Sequence, residues 1–191
     1  YGQYTYSSNQ NVTLNIDNTR STVDFGEATM KNYKQAGMPN QAYSLGIEYR
    51  DPKYWWIGAN VNYIGGSYVD ISPLLRTQNF LINPDDSDGF PYADATEANL
   101  KKVLKQEKLK DFTLVNISGG KSWRVNGNTI GFFASVNNIF DVEYKTGGFE
   151  QGRNANYGQV VEDMTGSVRA FGPKYFYGYG RTYFLNLYIN F

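Results

Sequence analysis

The densest chemistry in the chain stands at residues 83–89, NPDDSDG, where Asp85, Asp86 and Asp88 bring three carboxylates together. Carboxylates so spaced can hold a hard cation such as Ca²⁺. The spacing is not that of an EF-hand. With Gly89 at the sixth loop position, Pro84 falls on the first and Ala95 on the twelfth, and neither offers a side-chain ligand. An exposed acidic turn is the plainer reading. Elsewhere reactive groups are scarce. The chain has no His and no Cys, which removes Cys/His metal clusters, thiol nucleophiles and Ser-His-Asp arrangements together. Gly178 and Gly180 do not complete a GxGxxG, because position 183 is Tyr; among tyrosines they read as the start of a strand or the tip of a loop. Asn11-Val12-Thr13 and Asn116-Ile117-Ser118 match the glycosylation sequon, the second in mid-strand. Lys+Arg and Asp+Glu are both 18, so no basic excess points to nucleic acid. Neither enzyme activity nor a resident cofactor or metal is expected.

What the chain does carry is rings. Aromatics make up 17% of it, with 17 Tyr and 12 Phe, yet mean hydropathy is −0.53. Rings and polar residues must therefore alternate closely, as they do in strands and not in membrane helices. No stretch approaches the ~18–20 continuous apolar residues of a transmembrane helix. A membrane-spanning reading thus requires a β-barrel, the other structure that satisfies every backbone hydrogen bond in lipid.

The period of the pattern is 2, the strand signal. In RTYFLNLYINF, Tyr183, Leu185, Leu187, Ile189 and Phe191 fall on one face, and Thr182, Phe184, Asn186, Tyr188 and Asn190 on the other. Upstream, Ile130, Phe132, Ala134 and Val136 alternate with Phe133, Ser135 and Asn137. Thr113, Val115, Ile117 and Gly119 alternate with Leu114, Asn116 and Ser118. Asn126-Gly127 between these two segments predicts a two-residue type I′ hairpin turn. A second hairpin sets Tyr43, Leu45, Ile47 and Tyr49 beside Trp55, Ile57, Ala59, Val61 and Tyr63, joined at Asp51-Pro52.

Six strands are expected, the first over roughly residues 1–16. Their connections alternate, with long joins near 18–40, 71–111 and 147–180. Outer-membrane barrels have short periplasmic turns and long extracellular loops, which would place the C-terminus in the periplasm. Tyr49, Trp55, Trp123 and Phe191 cluster beside the short turns, and Tyr63 and Tyr183 near the opposite strand ends, as two interfacial girdles would. The alternative of a soluble β-sandwich also alternates, but predicts neither the alternation of connections nor the banding of rings. Six strands are too few to close around Trp56, Phe133, Phe184 and Tyr188, so a barrel segment with open edges is expected. The opening YGQYTYSS already reads as strand, which sets the expected N-terminus upstream.

One helix is predicted, over residues 93–106, with Asp94 and Glu97 as a capping box and Leu100, Val103 and Leu104 as a narrow apolar stripe. It reads as a lid packed on its own loop, or alternatively as a dock for a surface lipoprotein. The aromatic-rich FGPKYFYGY at 171–179 could stack on sugars or chelates, or pack against neighbouring loops.

Four stretches resemble the C-terminal region of the TonB-dependent outer-membrane transporters in their Bacteroidota form: AYSLGIEYRDPKYWWIGANVNY (42–63), LVNISGGKSW (114–123), GFFASVNNIFDVEYKTGGFEQGRNANY (131–157) and FGPKYFYGYGRTYFLNLYINF (171–191). Asn137-Asn138-Ile139-Phe140-Asp141 looks like a strand motif of that family. The terminal strand, with Tyr183, Leu185, Leu187, Ile189 and Phe191, looks like its barrel-assembly signal. The resemblance implies an all-β antiparallel transmembrane segment, about the last six strands of a 22-stranded barrel. It further implies a plug domain and a TonB-recruiting box, neither of which lies in these residues. Expected partners are outer-membrane lipid, the rest of the barrel and plug, TonB through the N-terminal part and, on the docking alternative for the loop helix, a surface lipoprotein. Asn60, Asn62, Asn116, Ser118, Ser135, Asn137 and Asn186 would face the plug or lumen.

The function so implied is active uptake of a bulky nutrient such as a glycan, peptide or metal chelate. Its rivals are a structural barrel subunit of an outer-membrane assembly or secretion complex, and a soluble carbohydrate-binding β-domain.

Overall fold

The computed structural model describes residues 3–16, 19–152 and 155–191, with side chains described from residue 23 onward. In chain order its strands are β1 (Gln3–Ile16), β2 (Thr19–Lys34), β3 (Gln41–Asp51), β4 (Trp55–Gly65), β5 (Phe112–Val125), β6 (Asn128–Asn137), β7 (Lys145–Phe149), β8 (Lys174–Tyr177) and β9 (Thr182–Asn190). Helix α1 (Glu97–Val103) precedes β5, α2 (Tyr157–Thr165) precedes β8, and two 3-10 turns cover Pro73–Arg76 and Gln78–Leu81. The chain is all-β with antiparallel sheets. It forms two units, one of residues 1–38, 68–109 and 147–176, the other of 39–67, 110–146 and 177–191.

The second unit is a five-stranded open sheet of order β3-β4-β5-β6-β9, antiparallel at every pair. Its local chemistry is that expected. Asn126 and Gly127 take φ of 50° and 86°, the positive values a type I′ turn needs at both central residues. At the β3–β4 turn the Asp51 carboxylate accepts from the Lys53 N–H at 2.8 Å, and the Tyr54 N–H donates to the Asp51 carbonyl at 3.1 Å. Gly178 makes the close approach that opens β9: its N–H donates to the Tyr144 carbonyl at 3.0 Å, and the Tyr144 ring fills the space a side chain would need.

The first strand departs from expectation. β1 does not join the five-stranded sheet but pairs with β2, inside the span read as a long join at 18–40. The register slips between Tyr4 and Thr5 and between Asn9 and Asn11. Asn32 and Gly26, opposite those slips, have φ of 68° and 83°. Each bulge adds a residue and reverses the in/out phase, so no single period runs through β2. Tyr1 and Gly2, at the head of the expected strand, and residues 17 and 18, between β1 and β2 in sequence, lie outside the described residues.

The rest of the first unit has a core of its own. Leu75, Phe80, Ala155, Tyr157 and Val160 are buried together, with Leu100, Val103 and Leu104 packed against them. The α1 stripe is thus covered in part by its own loop, through Leu75 and Phe80, and in part by the join at 147–180, through Ala155, Tyr157 and Val160. Thr96, not Asp94, caps α1, its hydroxyl accepting from the Asn99 N–H at 3.4 Å. Asp94 instead accepts from the Tyr157 hydroxyl through its carbonyl at 3.1 Å. The capping box belongs to α2, where Asn156 and Gln159 exchange bonds. That second helix was missed although Tyr157, Val160, Val161 and Met164 recur at helical spacing.

Candidate functional site

Directly opposed residues of an antiparallel sheet share a face, so the register decides what each face carries. Tyr43 opposes Tyr63, and Leu45 opposes Val61, which opposes Val115. One row runs Ile47, Ala59, Ile117, Val136, Tyr183, and the next Tyr49, Ile57, Gly119, Ala134, Leu185. Beyond these come Trp55, Lys121, Phe132 and Leu187, then Trp123, Ile130 and Ile189. This apolar face spans all five strands and is uncovered: Leu45, Ile47 and Leu187 are 77%, 78% and 75% exposed.

Rings band both ends of that face, and the band near the short turns runs obliquely. Tyr49, Trp55 and Trp123 each stand one row further along than the last. Tyr49 and Trp55 have centroids 5.4 Å apart, and Tyr43 and Tyr63 at the far end 6.0 Å. The single Lys of the face, Lys121, was not anticipated, although its parity with Ile117 and Gly119 reveals it. Its ammonium reaches the Lys53 carbonyl at 3.0 Å and lies 5.5 Å from the Trp123 ring. The charge is carried toward the short-turn end while the stem stays on the apolar face.

The opposite face gathers all seven predicted polar residues. Asn62 accepts from Ser44 at 2.8 Å, and Asn116 donates to Asn60 at 2.9 Å. Ser118 opposes Ser135, Phe133 opposes Asn186, and Asn137 donates to the Thr182 hydroxyl at 3.3 Å. Trp56 stacks on Phe133 at 5.9 Å, Phe184 follows at 5.8 Å, and Arg50 lies 5.6 Å over Trp56. Gly120 lies between Trp56 and Phe133 in the register; a Cβ there would stand 2.9 Å from the indole nitrogen. Shallow and open, this face offers amide and hydroxyl groups beside stacked rings, which suits contact with polar protein surface or water.

The Asn137–Asp141 motif works as a clamp. Asn138 is 3% exposed with φ of 51°. Its amide accepts from the Val142 N–H and donates to the Val142 carbonyl, both at 2.9 Å. Its own N–H donates to the Asn116 side chain at 2.8 Å. Asp141 accepts from the Arg181 N–H at 2.7 Å. The motif therefore ties β5, β6 and the start of β9 together. Asn138→Ala is expected to cost about 1–3 kcal/mol by leaving two backbone groups unpaired, measured by denaturant unfolding of the full chain. Asn138→Gly relieves the positive φ but not the lost bonds; wild-type stability in that variant would show that the bonds contribute nothing.

No protein-family model and no curated protein matches this chain. The function is therefore argued from its geometry.

The acidic turn closes on itself. Asn83 and Asp86 accept from the backbone N–H groups of Asp85 and Asp88 at 3.1 and 2.9 Å. Among the described residues no three His, Cys, Asp or Glu side chains group to hold a metal ion. The Asn11 sequon lies where side chains fall outside the described residues, and Asn116 of the second sequon is engaged on both sides of its amide. The sequence reading also missed the ion pair of Arg76 with Glu150, residues 74 positions apart with nothing local to link them.

Proposed function

We propose that this chain is a C-terminal barrel segment of a TonB-dependent outer-membrane transporter, with its C-terminus in the periplasm, and that the whole protein takes up a bulky nutrient such as a glycan, peptide or chelate. The uncovered apolar face carries the membrane part of this reading, and the resemblance of residues 42–63, 114–123, 131–157 and 171–191 supports the transporter part. Water-soluble monomers rarely expose contiguous apolar patches beyond a few hundred Å², whereas lipid accepts such a face without cost. An eleven-residue strand such as β4 rises about 36 Å at ~3.3 Å per residue, and a tilt of ~45° brings that to the ~25 Å apolar band of an outer-membrane barrel.

Two further features support the reading. The free edges of β3 and β9 present unpaired backbone groups that hydrocarbon does not tolerate, so the barrel needs more strands beyond both. The long connections leave the sheet from one end, where Ile64 opposes Phe112 and Asn137 opposes Thr182. On this reading that end faces outward, the polar face meets the plug, and the plug with its TonB box lies in another part of the protein.

The test is to extract the native protein from outer membranes, determine its mass and N-terminal sequence, and measure energised uptake with and without TonB. A plug-bearing chain whose uptake requires TonB supports the proposal. A protein monodisperse without detergent would overturn the membrane reading, and a membrane barrel without TonB-dependent uptake would make it a scaffold. Deleting Phe191, which is exposed just past β9, is expected to slow appearance of the folded barrel in a pulse-chase assay. Unchanged kinetics would mean that β9 is not the assembly signal.

A further inference from the structure

The loop unit contains a cavity of about 660 Å³, within the ~300–1,000 Å³ range of small-molecule sites. Its floor is apolar: Val69, Leu75 and Val160 are buried, and Tyr68 and Phe171 line it half-buried. Its rim is cationic, with Lys102, Lys105, Lys108 and Arg169 around the mouth.

Of the three acidic groups nearby, two face a guanidinium, and the third, Glu107, lines the cavity itself. Glu150 is held by Arg76, and Glu107 accepts from the Tyr175 hydroxyl at 2.7 Å. Asp163 accepts from the backbone N–H groups of Ala170 and Phe171 and lies 3.6 Å from Arg169. Lys102 and Lys105 are exposed and form no ion pair among the described residues. An apolar floor beneath the exposed ammonium groups of Lys102 and Lys105 selects a ligand with both features.

We propose that this cavity binds a small organic carboxylate with an apolar body, the apolar part on Val69, Leu75 and Phe171 and the carboxylate at Lys102 and Lys105. As the place where a carboxylate-bearing apolar part of the transporter's bulky nutrient is recognised, this rests on the uptake reading; as a binding site, it does not.

The experiment is calorimetry on the full-length protein in lipid nanodiscs, with empty discs subtracted, using three probes: 1-naphthoate, 1-naphthylmethanol and acetate. Naphthoate is expected to bind about tenfold or more tighter than either of the others, and Lys102→Gln with Lys105→Gln to weaken it about fivefold. Because both lysines are exposed, the double variant should keep its fold, which circular dichroism checks. Equal binding of naphthoate and naphthylmethanol, no measurable naphthoate binding, or an unaltered affinity in the folded double variant would each overturn the proposal. Binding is read without transport. Naphthoate binding to a protein that shows no TonB-dependent uptake would uphold the site and sink the transporter, and the converse result would do the reverse.

Discussion

If the apolar face meets lipid as proposed, Leu187→Arg is expected to destabilise the protein in a bilayer by about 2–4 kcal/mol, the cost of an Arg near the midplane on a barrel's lipid face. Leu187 stands midway along β9 between Tyr183 and Phe191, opposes Phe132 and is 75% exposed. Val61→Arg should cost less, because Val61 is the next residue of its face to Tyr63 and so close to one band of rings. Asn186→Arg and Asn60→Arg, one position away, turn the guanidinium to the polar face and should change stability little. Unfolding in lipid vesicles reads all four. Equal losses within each neighbouring pair would mean that the apolar face does not meet lipid.

Removing one partner of the Arg76–Glu150 pair should cost about 3–5 kcal/mol locally, since it strands an unpaired buried charge. The Arg76 side chain is 3% exposed. It donates to Glu150 and to the carbonyls of Ser72 and Leu104 at 3.1 and 3.2 Å, and its guanidinium lies 4.7 Å from the Tyr33 ring. Glu150 also accepts from the Ser72 N–H at 3.0 Å. Burial pulls the Arg76 pKa down, but the hydrogen bonds and charge of Glu150 outweigh it, so the cation is held more firmly than a free guanidinium. The pair thus ties a 3-10 turn, the end of α1 and the segment after β7 within one unit. Glu150→Ala should release hydrogen-exchange protection at the Val69, Asp70 and Glu150 amides, which bond across these segments. Protection along β5 and β6 should persist. Arg76→Met with Glu150→Leu should recover most of the loss, because apolar pairs replace buried ion pairs at little cost. Unchanged protection in Glu150→Ala would show that the tie lies elsewhere.

These two sites mark how far local pattern reaches. The strands of the five-stranded sheet were legible because each buries or bares one face, and a period of 2 then places every side chain. Asn126-Gly127 was legible because few residue pairs accept positive φ twice. The polar set from Asn60 to Asn186 was legible for the same reason of parity, and so was Lys121, had parity been followed to the strand's end. β2 was not, since bulges at Gly26 and Asn32 twice reverse its phase. The Asn137–Asp141 motif could be recognised as a string, but its work as a clamp depends on Asn116 and Arg181, which are distant in sequence.

The amino-acid sequence by itself determined the all-β class, the two faces of the sheet and the turns that set its register, because these follow from alternation and from turn residues within a few positions. Only the tertiary structure decided that β1 pairs with β2, that α1 packs against the join at 147–180 as well as its own loop, that Arg76 finds Glu150, and that a basic-rimmed cavity opens between α1 and the loop after α2. Each of those depends on contacts across tens of residues, where the entropy of closing the chain is recovered only by the whole set of interactions together and no local period records it.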